Sequence, residues 1–278
     1  MTPDRMSPDR TRRERTSPSR TSADLAALRE HLVATRIAGD VATPRDENIR
    51  NAGRMVEGRV KYDFGLVPRR TWTTDEVMEV MARRCGTLSD LTVRDGADTI
   101  DPDLTLSQLE RWRERLAKAA AAGERVLLAT GHPTGILVIH LQVAAALRAA
   151  GADVLVVDAP WSWEWPEPWG SGRPRYVRVV NGVHVLASGG ELLHTHEPEP
   201  MRAVLAVLDE PPDLVVADHG WAGAAAEAGI DTLGMADCND PALFVAEEEG
   251  KPIVTVPLDD NVPPHLYDPL SQFVTIWD

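Results

Sequence analysis

With 278 residues, 43% of them apolar, the chain is long enough for one or two domains with a sizeable core. A formal net charge of −14 argues against a nucleic-acid partner, since phosphate repulsion would have to be overcome by a strong local basic patch. No run approaches the ~18–20 apolar residues of a membrane span, and two cysteines, Cys85 and Cys238, suit a reducing compartment better than a disulfide framework, so a cytoplasmic protein without a membrane partner is expected.

Residues 1–22 hold six arginines against three acids in a Ser-, Thr- and Pro-rich stretch with no apolar segment of the kind a signal peptide needs. They read as a disordered leader, in keeping with an over-long start. Residues 23–123 read as a mainly helical region packed on the rest as a cap. Leu25, Leu28 and Leu32 share one face of a helix that Ser22 can cap. Thr74 and Asp75 open a second helix that stops at Gly86, and Thr105 with Gln108 forms a capping box for a third that ends at Gly123. Between them, Ala38–Gly65 reads as an Asp- and Gly-rich connection.

From residue 124 to 278 the rhythm is strand, turn, helix. Strands are expected at Val126–Thr130, Val154–Val157, Leu214–Ala217, Thr232–Ala236 and Ile253–Val256, with a hairpin about Asn181-Gly182. Helices are expected over 136–150, 201–208, 222–228 and 241–249. The fold class is therefore α/β: a mostly parallel sheet with helices on both faces, plus the N-terminal helical cap region.

Chemistry-bearing side chains recur at the carboxyl ends of these strands, where ligands sit in parallel α/β sheets. Asp218 and His219 follow one strand; Asp237, Asn239 and Asp240 follow the next; Asp259, Asp260 and Asn261 follow the third. One of Asp259 and Asp260 is expected to serve the site and the other to face solvent. His194 and His196, at i and i+2, share a side if their segment is extended, and they can bind a transition metal or meet phosphate oxygens. Gly131-His132-Pro133-Thr134-Gly135 joins a strand to a helix; its glycines, free N–H groups and Thr134 hydroxyl suit a phosphate. Arg45 and Asn48 lie in a polar segment that can fold over the mouth of the site, with Arg45 gripping phosphate. Asp237-x-Asn239-Asp240 resembles the metal-binding pattern of haloacid-dehalogenase-type phosphatases. The Asp-x-Asp-x-Thr nucleophile strand of those enzymes is missing upstream, so an aspartyl-phosphate route is not expected. Trp161, Trp163, Trp165 and Trp169 crowd one Pro-interrupted segment, which suits stacking on a substrate ring, a homo-oligomer interface or loop packing.

Several stretches together resemble an actinobacterial family of cytoplasmic proteins generically labelled phosphatases. They are Arg36–Arg45, Asp98–Pro102, Thr130–Pro133, His194–His196, Val216–Gly223, Ala236–Leu243 and Pro257–Asp260. The Trp161–Trp169 segment departs from that pattern. The resemblance implies phosphate-ester hydrolysis and names no substrate.

The expected function is a metal-dependent hydrolase of a small phosphomonoester. Asp218, Asp237, Asp240, Asn239, Asp259 and His194 are the expected metal ligands. His219, His196 and Asp237 are the expected catalytic groups; Gly131, His132, Thr134, Gly135, Arg45 and Asn48 would receive the phosphate. Mg²⁺ or Mn²⁺ fits the oxygen-rich set, and Zn²⁺ or Fe fits if both histidines ligate. Two rival readings use the same residues. One is a lyase, isomerase or transferase acting on a small phosphorylated or carboxylated metabolite; the other is a non-catalytic metabolite- or partner-binding protein.

Overall fold

A computed structural model describes residues 22–159, 162–163 and 173–277. The expected leader up to residue 21 and all of the tryptophan segment except residues 162–163 lie outside the described residues.

The chain opens with α1 (Ser22–Ala34), β1 (Gly39–Pro44), α2 (Arg45–Val56), α3 (Val60–Asp63), α4 (Thr74–Arg84), β2 (Ala97–Ile100) and α5 (Pro102–Ala122). Next come β3 (Arg125–Thr130), α6 (Leu137–Ala150), β4 (Asp153–Val154), β5 (Ser162–Trp163), β6 (Arg175–Val180), β7 (Val183–Ser188), β8 (Glu191–Leu193) and α7 (Glu199–Ala206). The last stretch holds β9 (Leu214–Asp218), α8 (His219–Glu227), β10 (Thr232–Ala236), α9 (Pro241–Glu248), β11 (Ile253–Pro257), a 3-10 turn (Pro264–Tyr267) and α10 (Asp268–Thr275).

The main sheet runs β11-β10-β9-β3-β7-β6-β5, with β4 beside the start of β3 and β8 on β7. Strands β11, β10, β9, β3, β4 and β7 are parallel, while β5, β6 and β8 add antiparallel pairings at one side. Strands β9 and β10 are buried at every residue, as their unbroken apolar runs require when helices cover both faces. Helices α5, α6 and α10 pack together, with α1 on α5; α8 packs with α7 and α9, and α4 with α2 lies against α9. One apolar cluster runs through all of this, from Leu28 and Leu32 through Trp112 and Leu127 to Val274. Trp112 Nε1 donates to Val254 O and Thr105 Oγ1 to Pro257 O, fastening α5 along β11.

Local signals explain most element ends. Thr73 caps α4 in a full capping box with Glu76, and Gly86 (φ 88°) follows its close. Asn181 (φ 48°) and Gly182 (φ 92°) both take positive φ, as a tight β6–β7 hairpin demands.

Four local expectations need correction. The 38–65 connection contains β1, α2 and α3, and β1 pairs antiparallel with β2 away from the main sheet. Helix α5 starts at Pro102 with Asp101 as its cap, so Thr105 lies inside the helix instead of capping it. The strand expected over Val154–Val157 pairs only at residues 153–154. Beyond that point β7 takes the place beside Leu128–Thr130, and Val157 N donates to His184 Nε2. Helix α10, whose Leu270, Phe273 and Val274 are buried, lies in a stretch where no element was expected.

Candidate functional site

Strands β3 and β9 are neighbours from which the chain proceeds in opposite directions, to β7 on one side and to β10 and β11 on the other. Such a switch point opens a crevice at the carboxyl ends of the strands. Into it run His132 after β3, His219 after β9, Asp237 and Asp240 after β10, Asp259 and Asp260 after β11, and His194 with His196 after β8.

The contacts are close. His219 Nδ1 donates to Asp218 Oδ1 at 2.7 Å, leaving Nε2 facing Asp240 Oδ2 at 3.4 Å and Asp260 Oδ2 at 3.5 Å. His132 stacks on His194 with centroids 4.4 Å apart, and its Nδ1 lies 3.1 Å from Asp260 Oδ2. His196 Nδ1 donates to Lys61 O at 3.1 Å, so its Nε2 accepts from His194 Nε2 at 3.0 Å. Three sets of side chains each bring ligand atoms within 4.8 Å of one another: His132, His194 and His219; His196, His219 and Asp240; Asp237, Asp259 and Asp260. Buried His132 Nδ1 and Asp260 Oδ2 face one another without an aligned hydrogen bond, which leaves lone-pair capacity for an ion.

The backbone is bent to make this possible. His219 holds φ 47°, a left-handed conformation that is costly for a residue with a Cβ and is kept only where its surroundings enforce it. A side chain on Gly131 would strike Thr195 O, one on Gly135 would strike Asp260 O, and one on Gly220 would strike His196 O. These glycines therefore let the loops after β3, β8, β9 and β11 converge.

Burial and mutual charge set the protonation states. Burial drives His194 down to about 4 and His196 down to about 3, helped by the neighbouring imidazoles, so both are neutral ligand-type rings near pH 7. Burial also opposes charge on His219, but its bond to Asp218 and the facing Asp240 and Asp260 outweigh it and push the ring up to about 10. Asp218, buried yet bonded to His219 and Thr130, falls to about 2. Burial with the surrounding carboxylates raises Asp237 well above the usual range; burial is also the main cause that takes Asp240 up to about 7.

Beside His194 and His196 opens a cavity of about 450 Å³, lined also by Thr195, Lys61, Tyr62, Arg175 and Glu197. Two cations thus stand at the exposed side of an imidazole- and carboxylate-lined pit. Behind them buried Phe64 packs on the imidazoles, its ring 5.2 Å from that of His196 and 5.5 Å from that of His219.

Several expected site residues are placed differently. Arg45, 2% exposed, is held by Asp98 (Nη1 to Oδ2, 2.7 Å), Val93 O and Asp90 O, and Asn48 Nδ2 donates to the same Asp98 oxygen. Both are thus engaged with a buried carboxylate in this structure, with Asn48 Oδ1 left without a hydrogen-bonding partner. Asp218 sits behind His219: Oδ1 accepts from Gly131 N and His219 Nδ1, and Oδ2 faces His140 Nε2 at 3.5 Å. It orients a ring and does not take part in the three sets. The 131–135 turn uses its own amides, Gly131 N on Asp218, His132 N on Thr130 Oγ1 and Gly135 N on His132 O; Thr134 is exposed. Asn239 is half-buried and its carbonyl accepts from Asn51 Nδ2, tying α2 to this loop. Asp259 and Asp260 are each 2% exposed, so neither faces solvent.

Other members were not picked out as site residues in the sequence. Thr43 Oγ1 donates to Asp237 Oδ2 at 2.7 Å, Lys61, Tyr62 and Arg175 build the cavity wall, and Phe64 packs on His196. Lys61 and Arg175 carry no local motif; only their position beside the His194–His196 pair marks them.

Residues 23–276 match the family described as Phosphatase. The chain belongs to that family. A curated relative, Phosphatase SCO2771 of Streptomyces coelicolor (strain ATCC BAA-471 / A3(2) / M145), is 49% identical over 255 residues, covering 90% of this chain and 94% of the relative. The resemblance drawn from the motifs is therefore upheld, and the chain is a phosphatase. Among the described residues no helix is long and apolar enough to cross a membrane.

Proposed function

We propose that this phosphatase hydrolyses small phosphomonoesters and depends on a bound divalent cation. The observation that carries this reading is the convergence of four imidazoles and buried aspartates, with His194 and His196 opening onto a cavity that Lys61 and Arg175 also line. The donor set fits a cation: His194 and His196 are neutral at physiological pH, and buried His132 Nδ1 and Asp260 Oδ2 face only one another and His219, without an aligned hydrogen bond. A cation bound there would supply Lewis acidity, activating water and neutralising charge on phosphate.

The protein's own groups do the rest. Asp218 fixes His219 with its Nδ1–H turned inward, the carboxylate–imidazole arrangement that would aim Nε2 at a metal once the cation displaces the proton this ring otherwise holds. Lys61 O does the same for His196 through Nδ1. Lys61 and Arg175 receive the phosphate oxygens that project into the cavity, and its volume of about 450 Å³ suits a metabolite-sized ester. In the reaction a water oxygen bonds to phosphorus and the ester P–O bond breaks. The leaving alcohol takes up a proton and inorganic phosphate departs.

Phosphate release from 4-nitrophenyl phosphate and a panel of sugar and nucleoside monophosphates tests this reading. Activity should vanish in chelated protein and return with added Mn²⁺, Mg²⁺ or Zn²⁺. Undiminished turnover by protein shown to be metal-free by elemental analysis would overturn it.

A further inference from the structure

The donor atoms are not mixed evenly. His132, His194, His196 and His219, with Asp240, form a nitrogen-rich group whose outer members line the cavity. Asp237, Asp259 and Asp260 form an all-oxygen group that is buried throughout. Asp260 joins them. Its Oδ2, buried and without a hydrogen-bonding partner, lies 3.1 Å from His132 Nδ1 and 3.5 Å from His219 Nε2, while Oδ1 accepts from Asn261 Nδ2.

The acidic group has the further features of an ion seat. Asp237 is held by the Thr43 hydroxyl and the Cys238 N–H, one on each oxygen, and Asp259 by Asn261 N and Ala42 N. Every one of these oxygens keeps a second lone pair. Among the described residues no lysine or arginine makes an ion pair with the three aspartates; of these the imidazoles of His132 and His219 face Asp260 alone, so Asp237 and Asp259 meet across a buried space with no ion-paired base. Arg36, whose charge favours ionised Asp259, is bonded to Asp40 O and Val41 O and makes no ion pair with it.

We infer that the site holds two cations of different chemistry, one on the imidazole group facing the cavity and one on the buried aspartate trio, with Asp260 between them. Imidazole nitrogen selects Zn²⁺ or Fe, and carboxylate oxygen selects Mn²⁺ or Mg²⁺. The outer cation meets the substrate; the inner one offsets the acids and fixes the loops after β10 and β11 against β1. This inference rests on the metal-dependent reading above and adds number and selectivity to it.

Full-length protein, stripped and then dialysed against Zn²⁺, Mn²⁺ or both, is analysed for metal content. Two equivalents per chain are expected with both metals present. His194→Ala/His196→Ala should retain one equivalent, predominantly Mn²⁺; Asp237→Asn/Asp259→Asn should retain one, predominantly Zn²⁺. Circular dichroism identifies variants that fail to fold. Independently of any variant, wild-type protein loaded with Mn²⁺ alone should give a spin-coupled resonance spectrum, since adjacent ions interact. A single equivalent with an uncoupled Mn²⁺ spectrum, or both double variants losing the same ion, would overturn the two-cation inference while leaving metal dependence intact. No metal at all, with activity retained, would remove both.

Discussion

Asp218 offers the sharpest test of how the site is organised, because its charge and its hydrogen bonds can be separated. In Asp218→Asn the side-chain oxygen can still accept from Gly131 N and His219 Nδ1, both now 2.7 Å from Oδ1. The new amide N–H₂ replaces Oδ2 and faces His140 Nε2, 3.5 Å away, whose other nitrogen, Nδ1, donates to Ile136 O. The shape is thus retained and only the negative charge behind His219 is lost. Such orienting carboxylates change metal affinity by about 10–100-fold, equivalent to about 1.4–2.7 kcal/mol. Asp218→Ala also strands the buried Gly131 N–H and His219 Nδ1–H, each costing about 1–3 kcal/mol of stability. Competition titration against a chelating dye should therefore show weakened metal binding in both variants, while thermal unfolding in chelator separates them, with Asn near wild type and Ala clearly lower. Metal affinity of Asp218→Asn within twofold of wild type would refute the assignment of Asp218 as the group that aims His219.

Further expectations follow from other contacts. Arg45→Met leaves Asp98 buried and unpaired, so unfolding should show a loss of about 3–5 kcal/mol, with KM for the ester unchanged in the protein that folds; a raised KM at constant stability would return Arg45 to the substrate. Gly135→Ala places a methyl group against the Asp260 carbonyl and should cost about 1–3 kcal/mol, with a parallel fall in metal content on elemental analysis. Metal titrations from pH 5 to 8 should show affinity rising with pH. His219, held up to about 10, must give up a proton to ligate across this whole range, and Asp240, held up to about 7, must do so below 7, so the slope steepens as pH falls through 7; a flat profile contradicts both being ligands, and an unchanged slope through 7 contradicts Asp240. Lys61→Ala and Arg175→Ala should each raise KM roughly tenfold in steady-state kinetics, as loss of a charged hydrogen bond implies, with kcat changed less. Equal KM values would remove them from phosphate binding.

Much of this was legible in the chain itself. Unbroken apolar runs such as Leu214–Ala217 and Thr232–Ala236 dictate strands buried on both faces, and acids placed directly after them must fall at one rim of a parallel sheet. His194-x-His196 put two rings on one side because side chains alternate along an extended segment. Such local periodicities survive in any tertiary context, and they fixed the class of fold and most of the metal-type side chains. What required the third dimension was pairing across long separations. Arg45 looks like an anion clamp until Asp98, 53 residues away, claims it in a buried pair. Asp218 looks like a ligand until Gly131 and His219 consume its inner oxygen. Lys61 and Arg175 carry no local sign of function and acquire one only because α3 and β6 bring them to the same cavity wall. Sequence spacing specifies which face a side chain takes, whereas burial and the identity of the partner that meets it there determine its charge, and those depend on loops brought together by the whole fold.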